Sequence, residues 1–316
     1  MTAQAAKPNK LRVNRGINKD HMGYLFILPF SIVFVAFVLY PIAYTFWLSL
    51  TDTQLMTGVA GSFIGLGNFM ALGNTDAFML SVRNTWLLWV LGFTPQLLFA
   101  LVLAYMFTNS TMKLRGTGVY KAIYYLPNLL MPATVAALFA AYLTGFGPVN
   151  QLLISLGIVD DPVAFLNHPA WARATVSFIG WWMWFGQTTI ILVAGMTSIS
   201  PALYESAMLD GASQPKMFRL ITMPLIKPIL LFVLVTSLIG GLQSFDIPFL
   251  LTNGRGDPQG SIMTMNVFMN LRRASAMGDI GSAATVSVIL FFMSSITALI
   301  LFGLFREKDD TVREEG

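Results

Sequence analysis

The chain has 316 residues, of which 55% are hydrophobic and only 11% charged. A soluble domain carries roughly 25% charged residues, so this composition excludes an ordinary soluble protein and describes one that crosses a membrane several times. There is no cysteine, which rules out disulfides and thiolate metal ligation, and the net charge of +4 is spread over several loops rather than gathered on one soluble face, so no nucleic-acid footprint is present.

In chain order, residues 1–23 form a basic N-terminal tail holding Lys7, Lys10, Arg12, Arg15 and Lys19. The apolar run from Tyr24 to Leu50 exceeds the roughly 7 to 15 residues of a signal-peptide core, and no A-x-A cleavage site follows it, so it reads as a retained span. A transmembrane helix needs about 20 mostly apolar residues. Further windows of that kind run from Trp86 to Phe107, Val119 to Leu143, Ala174 to Met196, Ile229 to Leu251 and Ala284 to Phe305, giving a six-span region over residues 24–305 and a C-terminal tail over 306–316. Pro127 and Pro132 lie inside the third window. Proline costs a soluble helix about 3 kcal/mol but is tolerated in membranes where neighbouring helices satisfy the freed backbone, so span three is expected to kink.

Lys and Arg are unevenly distributed on this plan. With the N-terminus inside, 14 fall in inside segments and five outside, namely Arg83, Arg173, Arg255, Arg272 and Arg273. The positive-inside rule therefore puts both termini in the cytoplasm. The longest inside loop, residues 197–228, lies between spans four and five.

That loop has helix signals of its own. Ser200 stands as an N-cap with Pro201 at the first helical position, and Ala202 to Leu209 make about two turns. Leu203, Ala207 and Asp210 share one stripe, with Tyr204 and Met208 beside it. Gly211 follows where a left-handed residue commonly ends a helix. Ser213 caps a second helix with Pro215 in its first turn, Phe218 and Ile221 on its apolar side, and Pro224 as its stop. A two-turn helix is marginal alone in water, so it needs a surface to pack on. Periodicity leaves two choices open: lipid headgroups, or a soluble partner docked through Leu203, Tyr204 and Met208 with Glu205 as the orienting charge.

Glu205, Ser206, Ala207, Asp210, Gly211, Ala212, Phe218, Ile221, Pro224 and Pro228 match the spaced cytoplasmic signature E-A-A-x-x-D-G-A…F…I…P…P of ATP-binding-cassette importer permeases. Ser206 stands at the second position of the signature in place of alanine, and Pro215 with Lys216 replaces a commoner aromatic and glutamine. "LPFSIVFVAFVLYPIAYTFWLSLTD" (28–52), "FIGLGNF" (63–69), "RNTW" (83–86), "YKAIYYLPNLL" (120–130), "GPVNQLL" (147–153) and "FDIPFLLTNG" (245–254) extend the resemblance over nearly the whole chain. The chain resembles the maltose-type carbohydrate permeases, in particular the first member of each permease pair.

The resemblance implies an all-α membrane fold, six helices of the type I importer permease kind with a cytoplasmic coupling helix. It implies a homologous second permease, two copies of an ATPase subunit that binds ATP and Mg, and an extracytoplasmic solute-binding protein, in a bacterial or archaeal cell membrane. The cargo would be an oligosaccharide or, alternatively, a sugar phosphate or polyol such as glycerol phosphate. The coupling residues would be Leu203, Tyr204, Glu205, Ala207, Met208, Asp210, Gly211 and Ala212.

Asp246 is the only carboxylate inside a predicted span, with Gln243 three residues earlier on the same helical side. It reads either as a structural carboxylate bonded to a neighbouring helix or to the "LTNG" loop, or as an acceptor for sugar hydroxyls near the outer mouth. Sugar sites combine aromatic faces with amides and hydroxyls, and "GWWMWFGQTT" (180–189) offers Trp181, Trp182, Trp184, Gln187 and Thr188; an interfacial aromatic belt is the other reading. Asn128 and Gln151 are weaker candidates, and Asn128 alternatively caps a break beside Pro127.

No G-x-x-x-x-G-K-[ST] occurs, so the usual phosphate loop for ATP is missing and the energy source is expected in a partner. H-E-x-x-H and G-x-S-x-G are missing too, so no enzyme or metal site is expected, and His21 and His168 read as loop residues. A secondary transporter usually shows an ionisable relay and repeated halves, neither of which is visible.

Overall fold

The structure is a computed structural model that describes residues 19–56, 61–109, 112 and 116–305. The two predicted tails therefore lie largely outside the described residues. Two compact units divide between Trp47 and Leu48.

The first unit consists of α1 (Lys19–Phe34), a π turn (Val35–Leu39) and most of α2 (Tyr40–Ser49). The π turn has a local cause. Pro41 has no N–H and its ring crowds the carbonyl four residues back, and the widened turn lets the Tyr40 N–H bond to Val35 O. Helix continues through it, so Gly23–Ser49 is one apolar stretch long enough to cross a membrane.

In the second unit, α3 (Gly67–Gly73) precedes α4 (Asp76–Thr108), whose 33 residues span about 50 Å at 1.5 Å per residue. Then come α5 (Thr117–Tyr125), a 3-10 turn (Leu126–Leu129), α6 (Pro132–Tyr142), α7 (Pro148–Ser155) and α8 (Pro169–Thr197). The loop elements α9 (Pro201–Leu209), α10 (Gln214–Met217), a π turn (Phe218–Thr222) and α11 (Met223–Leu225) lead into α12 (Lys227–Leu242), α13 (Asp246–Leu251), α14 (Met265–Arg273) and α15 (Ile280–Phe305).

α4 and α8 pack along their length as the spine of this unit. One core cluster joins Phe93, Ala100 and Ala104 of α4 to Leu192, Val193 and Met196 of α8 and Val233 of α12. A second joins Leu88 to Val176, Ile179 and Met183 and to Val135 and Ala136 of α6. A third joins Phe78 and Leu238 to Met265, Phe268 and Val286 at the Asp76 end of α4. Asn84 is fully buried there and donates to the carbonyls of Gly260 and Met263 at 2.7 and 3.2 Å, while the Met265 N–H donates to Thr85 Oγ1 at 2.9 Å.

One boundary and two breaks are the larger differences from the sequence reading. α4 begins ten residues before the predicted Trp86, because Asp76 to Thr85 is helix packed on the 260–265 segment rather than apolar surface. Predicted span three is two helices meeting at 89°, a break rather than a kink. Pro127 opens a 3-10 turn, and the residue before Pro132 is held extended, Met131 having ψ 132. Predicted span five breaks between Leu242 and Asp246. Pro248 has no N–H to give Ser244, and the freed Ser244 carbonyl accepts the Thr264 hydroxyl at 2.8 Å. Among the described residues, five helical stretches are long and apolar enough to cross a membrane, and the bent pair makes a sixth if it is one span.

Candidate functional site

A cavity of about 340 Å³ opens among the middle portions of α4, α8 and α12, within the roughly 300 to 1,000 Å³ of small-molecule sites. Its aromatic wall is Trp89, Phe93 and Trp184. The Trp89 ring stacks on Phe93 with centroids 5.6 Å apart and donates Nε1–H to Ser237 Oγ at 3.2 Å. It lies so close to Gly241 that any Cβ there would overlap the ring, so glycine is what lets α12 approach the wall.

The polar wall comes from three elements. Gln187 of α8 accepts from Asn128 Nδ2 at 3.2 Å across the break between α5 and α6. Gln96 of α4 donates to Thr188 Oγ1 at 2.8 Å, a buried bond that ties the two longest helices together at the cavity. Ser177 lines the cavity with a buried hydroxyl that has no hydrogen-bond partner among the described residues. The break after α12 presents Gln243, Ser244 and Asp246 at the mouth. Asp246 is exposed, and its carboxylate makes no hydrogen bond or ion pair among the described residues.

The predicted path residues therefore divide. Gln187, Gln243 and Asp246 line one cavity, but Gln243 and Asp246 meet at a helix break and not as neighbours on one continuous helix. Among the described residues the Asp246 carboxylate bonds neither to a neighbouring helix nor to the following loop. Asn128 positions Gln187 from behind instead of lining the cavity. Trp181 packs between Phe99, Phe178 and Phe185, and Trp182 packs on Phe139; of the three neighbouring tryptophans only Trp184 reaches the cavity. Gln151 donates to Phe146 O at 3.0 Å, away from it. Sequence patterning does not single out Trp89, Gln96, Ser177 and Ser237, which line the cavity. The Gly240–Gly241 pair was the available signal, since adjacent glycines in an apolar helix mark a close approach.

At the Thr197 end of α8 stands the second element of interest. α9 starts at Pro201 as expected, though Ser200 makes no side-chain cap bond. Gly211 is left-handed with φ 75, and α10 follows with Pro215 in its first turn. The second arm is not stopped by Pro224: the π turn and α11 carry helical structure to Leu225. α9 buries none of its residues. Leu203, Glu205 and Met208 are exposed, and Leu209, which the periodicity did not single out, is 89% exposed. Tyr204 differs from its neighbours: it is half-buried, and its hydroxyl lies 2.8 Å from Thr222 Oγ1 of the second arm.

Apolar helices of membrane length around an internal cavity with polar and aromatic walls, together with a short exposed helix, define a membrane protein built around a solute-sized site. Residues 96–307 match the family described as the binding-protein-dependent transport system inner membrane component, and the chain belongs to that family. It is 32% identical over 92% of its length to the lactose transport system permease protein of Rhizobium radiobacter, covering 95% of that protein. It is 30% identical to the trehalose/maltose transport system permease protein of Thermococcus litoralis, over 90% of this chain and 94% of the relative. Among solved structures it is similar to a chain of a bacterial ABC transporter involved in import of the acidic polysaccharide alginate, with TM-score 0.77, 26% identity and coverage of 94% and 99%. A related structure holds the alginate transporter in complex with its pentasaccharide-bound periplasmic protein (TM-score 0.76).

Proposed function

We propose that the chain is a permease subunit of an ATP-binding-cassette importer for a carbohydrate, an oligosaccharide in particular, delivered by an extracytoplasmic binding protein. The cavity carries this reading. Its aromatic wall suits the apolar C–H faces of a pyranose, and its amides, hydroxyls and single free carboxylate suit the hydroxyl edges. The relatives that transport lactose, trehalose and maltose support the cargo class.

The rest of the assembly follows the family. A second, homologous permease completes the path, and two ATPase subunits bind ATP and Mg and supply the driving force. α9 is the helix that docks on the ATPase, using exposed Leu203, Glu205, Met208 and Leu209, with Ala207, Asp210, Gly211 and Ala212 forming the end and turn of the same element. Both termini and α9 lie on the cytoplasmic side of an inner membrane.

The test exploits the absence of cysteine from the chain. Single cysteines introduced as Leu209→Cys and Phe146→Cys are cross-linked in the assembled complex. Position 209 is expected to capture the ATPase subunit and position 146 is not. Capture from 146 and none from 209 would reverse the assignment.

A further inference from the structure

The two arms of the loop between α8 and α12 are held very differently. The second arm is embedded: Met217, Thr222 and Ile226 are 3%, 4% and 0% exposed. It is gripped by the end of α4, where Asn109 Nδ2 donates to Gln214 Oε1 at 3.3 Å and Tyr105 meets Phe218 edge to face at 5.0 Å. Phe218 and Met223 also pack on the core cluster that joins α4 to α8 and α12.

α9, by contrast, has joints at both ends. Before it lies the short link from Ser198 to Ser200, and after it the left-handed Gly211. Among the described residues, the Tyr204–Thr222 hydroxyl pair is the only side-chain hydrogen bond that joins α9 to another element. Thr222 closes the π turn, a wide turn of the kind often found at functional sites.

We propose that this bond braces α9 against the embedded arm, so that a displacement of α9 is delivered into α4 as well as into α8, to which α9 is joined by chain. Tyr204 and Thr222 are then positioning residues for transport, acting inside this chain and not on its partner. Without the brace, α9 swings at its two joints and its movement is dissipated before it reaches the cavity. The inference rests on the reading of α9 as the ATPase-docking helix.

The experiment uses the whole complex in proteoliposomes and reads sugar taken up per ATP hydrolysed. Tyr204→Phe and Thr222→Val each remove the bond while keeping the shape. A hydrogen bond of ordinary strength weights the braced arrangement by about three- to tenfold, and the ratio is expected to fall measurably in either variant, by up to that factor. Because both variants break one bond, the double variant is expected to fall no further than the singles. Thr222→Ser keeps the hydroxyl and is expected to keep the ratio.

An unchanged ratio in Tyr204→Phe overturns the brace, as do effects that multiply in the double variant. Loss of the ATPase subunit from the purified Tyr204→Phe complex also overturns it, since Tyr204 would then be a partner contact. Failure of the docking reading itself is seen separately, as loss of cross-linking from Leu209→Cys.

Discussion

Ser244 gives its carbonyl to the Thr264 hydroxyl at 2.8 Å, and it is free to do so because Pro248, four residues on, has no N–H to offer it. The bond lies in the break between α12 and α13, the segment whose Gln243 and Asp246 line the cavity. Thr264→Val leaves the carbonyl unpaired and also removes the Thr264 cap on the Val267 N–H, so the combined cost is about 2 kcal/mol or more. In a Pro248→Ala background the alanine N–H can pair with Ser244, and Thr264→Val is expected to cost only the cap, about 1 kcal/mol. Unfolding of the four proteins in mixed micelles measures this difference.

The tryptophans make a contrasting pair. Trp184→Ala strips the aromatic wall of the cavity and is expected to raise the half-saturating substrate concentration about tenfold, with little effect on stability. Trp182→Ala empties a packed site beside Phe139 and is expected to cost about 3 kcal/mol of stability, with half-saturation unchanged in the protein that survives. Uptake kinetics paired with thermal denaturation separate the two.

Sequence alone carried the spans and the loop, and the reasons are physical. Apolar windows of membrane length and the order Pro201, Gly211 are local signals, readable without knowing any neighbour. The side-chain faces are set by packing between distant segments. Nothing within the string of tryptophans distinguishes Trp184 from Trp181 and Trp182 until α8 is laid on α4. Tyr204 turns inward because Thr222, 18 residues later, is there to meet it, and Leu209 is exposed because α9 packs on so little of its own chain. The break after α12 was within reach: Gly240, Gly241 and Pro248 all mark it, and an unbroken apolar window hid it.

Gln96 and Thr188 tie the two longest helices by a buried hydrogen bond. Interhelical bonds of this kind in membranes average about 0.6 kcal/mol, with a maximum near 1.7. A double-mutant cycle with Gln96→Leu and Thr188→Val, read from reversible unfolding, is expected to give a coupling energy in that interval.

Gly211 takes φ 75, where a side chain costs roughly 1 to 2 kcal/mol. Gly211→Val is expected to misdirect α9 relative to the embedded arm and abolish coupled transport while the bundle itself assembles. Uptake assays on the purified complex test this; normal transport by an assembled Gly211→Val complex would refute the role of the turn.

On the function proposed above, sugar passes through this chain only when a partner hydrolyses ATP. Proteoliposomes holding the chain with the proposed second permease and ATPase subunits, supplied with the loaded binding protein, test this directly. Uptake is expected with ATP enclosed on the ATPase side and none with a proton or sodium gradient alone; uptake driven by an ion gradient in the absence of ATP would show that the chain is not ATP-coupled.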